Sequence, residues 1–221
     1  MMRSCFVVLM CCLLPAVAWA VEHRVEPLAA PPPADSVSPE IAALLAPSGV
    51  KVIRGAARTV CEIWLCKEWG AAEGKPPSGV NYPFAPGQLM GVIRFPKKGS
   101  DFRDQDIAEG VYTLRYGQQP VDGAHVGTSA TRDFLLLLNA EKDKSPAVIE
   151  YKPLTKQSAE AAGSNHPALL SLQKAEGDAA PAIRHDEGRD WWIVHLQSKA
   201  KIGGAAKDVA LDFVVVGHAS D

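Results

Sequence analysis

The sequence predicts a mainly β protein: an antiparallel β-sandwich, Ig-like or jelly-roll-like, with one short N-terminal helix and a helical insertion near residues 153–175. Three observations predict it. Eight short segments are apolar at every second residue or throughout, the patterns of half-buried and fully buried strands. Breaks rich in Pro, Gly and Asp separate them. Helical patterning is confined to two places.

The first twenty residues, "MMRSCFVVLMCCLLPAVAWA", join a positive Arg3, an apolar run from Cys5 to Leu14 and the small-x-small end Ala18-Trp19-Ala20. That is the pattern of a secretory signal peptide cleaved after Ala20. The apolar run falls well short of the roughly 20 residues a membrane-spanning helix needs, and no later stretch supplies them. Residues 21–37 are rich in Pro and Ala and read as a flexible arm. Residues 38–221 then form a single domain.

In "SPEIAALLAPSG", Ser38 suits an N-cap and Pro39 the first helical position, while Ile41, Leu44 and Leu45 form an apolar stripe. Pro47 and Gly49 stop this helix. "VKVIR" and "TVCEIWLC", joined by "GAAR", read as a hairpin. The further strands are "QLMGVIRF", "VYTLRY", "DFLLLL", "AVIEY", "WWIVHLQSK" and "DVALDFVVVG". In "VYTLRY", Tyr112, Leu114 and Tyr116 share one face, and Thr113 and Arg115 the other. "FLLLL" is apolar at every position, as in a central strand covered on both faces. From Lys152 the residues are helix formers until Gly163, a usual stop. "HPALLSL" (166–172) suits a helix or a strand equally.

Without Arg3 the exported chain carries 22 basic residues (the 23 of the whole chain less that one) against 25 acidic ones, a net charge near −3. With no long basic run, this excludes nucleic acid as a partner. Only Cys61 and Cys66 follow the leader. A straight strand holds them about 16 Å apart on opposite faces, beyond the 4.4–6.8 Å that a disulfide spans, so free, buried thiols are expected. No second Cys or His pair makes them a zinc site.

The connection from Gly117 to Arg132 has sixteen residues, long for a link between strands. His125 sits in its middle, and Arg132 and Asp133 close it. Asp133 beside His125 suits a carboxylate-oriented imidazole able to bind a metal or move a proton. The plainer reading is a packed Ω-loop in which His125 bonds a backbone carbonyl. His166 and His195 are the histidines that folding would have to bring to His125 for a metal cluster. His195 shares a strand face with Trp191 and Ile193, which suits a core histidine held by one hydrogen bond. Trp191 and Trp192 point to opposite faces: one fills the core, and the other meets a second packed layer or, if exposed, forms a sugar-stacking platform. The acidic runs "DFRDQD" and "HDEGRD" match no calcium loop and read as solvated turns. There is no G-x-S-x-G, H-E-x-x-H, P-loop or dinucleotide fingerprint, so no cofactor is expected.

Through "IAEGVYTLRYGQQPVDGAHVGTSATRDFLLL", "NHPALLSL" and the closing "FVVVG", the chain resembles a group of uncharacterised secreted bacterial β-sandwich proteins. The resemblance implies export and a β-rich body, and no particular activity. The expectation for function is an exported, non-catalytic protein with a binding or structural role in the periplasm or cell envelope. Its working surface is the end carrying the 117–132 loop, with His125, Arg132, Asp133 and His166 as candidate binding residues. The alternative is a metal-dependent hydrolase with a His/Asp site around that loop.

Overall fold

A computed structural model describes residues 21–120 and 131–219. The stretch expected to be a flexible arm begins as a strand. β1 (His23–Leu28) pairs antiparallel with β2 (Gly49–Arg54). Pro27 is tolerated there because β1 ends the strand order, where a missing N–H removes no ladder bond. Between them stands α1 (Pro39–Ala42), and the Ser38 hydroxyl accepts the Ile41 N–H at 3.3 Å as its cap. Ile41 and Leu45 are buried, but Leu44 is 45% exposed. The helix stops after one turn, so Leu44 leaves the expected stripe and its carbonyl accepts the Lys67 N–H.

The hairpin continues into β3 (Arg58–Leu65). β4 (Glu68–Ala71), not foreseen, pairs parallel with β12 (Trp191–Ile202). β5 (Leu89–Phe95) leads to a small ribbon of β6 (Gly99–Ser100) and β7 (Asp106–Ile107). β8 (Gly110–Gln118) and β9 (Asp133–Asn139) flank the long connection. "AVIEY" is not a strand: Val148 is 57% exposed, and Tyr151 already opens α2 (Tyr151–Ala161). The helical insertion ends there. The ambiguous 166–172 stretch resolves into β10 (Leu169–Gln173), followed by β11 (Ala182–Asp186), β12 and β13 (Ala205–Val216).

The main sheet runs in the order β1-β2-β3-β5-β8-β9-β10-β13-β12-β11, with β4 added on β12. β10 pairs with β9 through its first three residues and with β13 through its last two, and so passes from one half of the sheet to the other. The two ends of the order, β1 and β11, touch each other. The sheet is therefore strongly curled around its core. At the seam the Trp192 ring lies between His23, 4.5 Å away, and His185, stacked at 4.3 Å. Trp192 is thus packed, and Trp191 is buried.

Strand parity decides the packing as expected. Tyr112, Leu114 and Tyr116 face the interior with Leu135 and Leu137. Phe134, Leu136 and Leu138 face outward, where Leu154 of α2, Phe102, Trp191, Ile193 and Val214 cover them. This second layer is why "FLLLL" is apolar throughout. Arg115 also faces outward and is fully buried beneath residues 143–147. Its guanidinium forks onto Asp143 at 2.8 and 2.9 Å and donates to the carbonyls of Gly87, Ala147 and Ser145.

Cys61 and Cys66 are free and buried. Burial pushes the Cys66 thiol up to about 12 and that of Cys61 further still. Asp101 is not a solvated turn residue. It is buried and accepts backbone N–H groups of Arg103, Gln105 and Leu169, which ties the "DFRDQD" turn to β10. Among the described residues, no helix is long and apolar enough to cross a membrane.

Candidate functional site

The loop end of β8 and β9 is built on Asp133. As the first residue of β9 it stands opposite Gln118 in register, and its side chain points inward with those of Leu135 and Leu137. The Tyr116 hydroxyl donates to one carboxylate oxygen, and the Asn81 N–H donates to the other at 2.7 Å. Gln118 in turn donates to the Tyr116 oxygen at 3.0 Å. Burial raises the Asp133 carboxyl above the usual carboxylate range, since desolvation outweighs the hydrogen bonds from Tyr116, Asn81 and Tyr82. The Tyr116 phenol is raised too, by burial first and by Asp133 second.

Arg132 ties the loop end to its neighbours. Its backbone N–H donates to the Gly79 carbonyl at 2.9 Å, and its guanidinium donates to the Gln119 carbonyl at 2.9 and 3.1 Å. His125 lies outside the described residues, so its relation to Asp133 does too. His166 is exposed on the turn after α2. His195 is buried elsewhere, on the outer face of β12.

Against this end lies a cavity of about 180 Å³ between α2 and the outer face of β8 and β9. Phe102, Phe134, Leu136, Leu154 and Leu169 form its walls, and Arg103 and His166 supply polar groups. Beside it, a Cβ on Gly117 would stand 2.1 Å from the Leu136 Cδ1 methyl, so a larger residue there makes that side chain move.

A second polar cluster was not legible from spacing. Asp212 of β13 stands directly opposite His195 in register and is fully buried. The His195 imidazole Nδ1 lies 2.5 Å from one Asp212 oxygen, while Arg184 and the Glu176 N–H take the other. The Tyr82 hydroxyl donates to the Gln173 carbonyl at 2.7 Å and accepts the Asp212 N–H at 3.1 Å. The cluster thus locks β10, β11, β12 and β13 together where β10 changes partner. The signal in the sequence was a lone Asp inside the apolar run "ALDFVVV".

Fold and cavity together define a β-rich protein with an apolar pocket on the outside of a curled sheet. No protein-family model, no curated protein and no solved structure matches the chain.

Proposed function

We infer that this is an exported, non-catalytic binding protein of the periplasm or cell envelope, holding a small, mostly apolar molecule in the cavity beneath α2. The carrying observation is that cavity: about 180 Å³ walled by aromatic and leucine side chains, with Arg103 and His166 to orient a polar end. A dry apolar cavity of about 150 Å³ accepts benzene, so a single substituted aromatic ring is the right size. Export rests on the leader-like first twenty residues. The body reads as sandwich-like, because β10 passes between two halves of the sheet. Arg132 and Asp133 then act as the frame of the site, since their polar groups are engaged with the protein itself.

The test is calorimetric titration with phenol and benzoate. Binding is expected, and Thr155→Trp, which places an indole in the cavity from the α2 side, should weaken it about tenfold or more. Failure of both probes to bind at millimolar concentration, or an unaffected Thr155→Trp variant, would overturn the reading.

A further inference from the structure

We propose that the opposite end of the curled sheet is a binding site for a small phosphate-type oxyanion. Phe95 pairs with Gly110, so the cavity that Phe95 lines lies at the far end of β8 from Gln118 and the long connection. It has a volume of about 230 Å³.

Register builds the site. His23 of β1 stands opposite Arg54 of β2, and Arg54 stands opposite Arg58 of β3, so three adjacent strands present His, Arg and Arg in one row. Lys97 and Lys98, between β5 and β6, line the same cavity. Like charges directly opposite across a ladder are destabilising. Among the described residues, Arg54, Arg58 and Lys97 form no ion pair that would relieve this, and only Lys98 is matched, by Asp106 at 2.6 Å.

His23 is the independent sign of a ligand. It is 5% exposed, and neither ring nitrogen has a hydrogen-bond partner. Burial first, then Arg54 and His185, drives its pKa down to about 4, so the ring is neutral near pH 7. A neutral imidazole offers one N–H and one lone pair, and leaving them unmade is unfavourable. The Val21 backbone lies alongside without completing a bond. An oxyanion in the cavity separates the two opposed guanidinium groups, and the His23 ring, whose nitrogens are closed off in this structure, turns to donate its N–H to it. Guanidinium forks are suited to phosphate oxygens, and Phe95 gives an apolar wall for whatever the phosphate is attached to.

The test follows the His23 ring by NMR while inorganic phosphate is added to the purified protein. A saturable shift of His23 is expected. His23→Phe, which keeps the packing on Trp192 and removes both stranded nitrogens, should weaken binding about tenfold or more. Arg54→Ala and Lys97→Ala, at exposed positions, should each weaken it and flatten its salt dependence. Flotation with phosphatidylcholine vesicles containing phosphatidic acid separates the two sources of the phosphate. Capture lost in the same variants assigns a lipid headgroup, whereas saturation by inorganic phosphate without capture assigns a soluble ligand. The absence of a saturable His23 shift together with absence of capture overturns the proposal. So does His23→Phe binding as tightly as the parent, which means the ring is no part of the site. Neither probe nor variant touches the cavity beneath α2, so the two sites stand or fall separately.

Discussion

Replacing Arg115 with Met is expected to destabilise the protein by about 3–5 kcal/mol, the usual result of removing one partner of a buried ion pair. The side chains of Arg115 and Asp143 are 0% and 3% exposed. All five guanidinium N–H donors are used: two on Asp143 and three on the carbonyls of Gly87, Ala147 and Ser145. Met fills much of the same space but leaves the Asp143 carboxylate with Thr113 as its remaining side-chain donor. The three carbonyls do not each add a full penalty, because residues 143–147 can lift and meet water. For a domain of this size, each kcal/mol moves the melting temperature by about 2–4 °C, so a drop of roughly 6–20 °C is expected. Arg115→Lys keeps the charge but loses the fork, and should fall between the parent and Met. Urea unfolding of the parent, the two single variants and the Arg115→Met/Asp143→Leu double variant measures the coupling directly. The double variant should recover much of the loss, because no stranded charge remains. An Arg115→Met variant within about 1 kcal/mol of the parent would refute the claim that this pair clamps the segment onto the sheet.

Two further outcomes are expected. Asp133 has a raised carboxyl in the folded state, so the native protein holds that proton more tightly than the unfolded chain does. Its contribution favours folding at low pH and is lost as pH rises from the ordinary carboxylate value through the raised one. Asp133→Asn should therefore gain in melting temperature relative to the parent across that window, and a relative loss there would contradict the assigned cause. Cys61 and Cys66 should resist alkylation in the native protein at pH 8 and react after unfolding, since burial raises both thiols. A disulfide between them found by mass spectrometry would refute this.

Much of the strand framework was readable because side-chain direction alternates along a strand whatever lies around it. Tyr112, Leu114 and Tyr116 fell on the inner face for that reason, and "FLLLL" announced cover on both faces. Local composition misled in two places. The Pro-rich composition of residues 21–37 concealed β1, because an edge strand tolerates Pro27 and needs no apolar alternation. Ala147-Val148-Ile149 looked like a strand, yet Arg115 and Gly87 hold that segment in place without any ladder. The loop end was visible as a place, through its length and its Asp133, but the donors that occupy Asp133 come from Tyr116 and from Asn81, 52 residues away in the chain.

By itself, the sequence determined the β class, the inward and outward faces of the central strands, the unpaired thiols and the position of the long connection. Each follows from the geometry of a few consecutive residues. Only the tertiary structure decided what meets those faces: α2 over β9, Asp143 under Arg115, Asp212 beside His195, and the row of His23, Arg54 and Arg58. Strand pairing joins residues tens of positions apart, and a register shift of one would send each of these side chains to the other face. Periodicity names a face, while register chooses its neighbours, and the two candidate sites are made of neighbours.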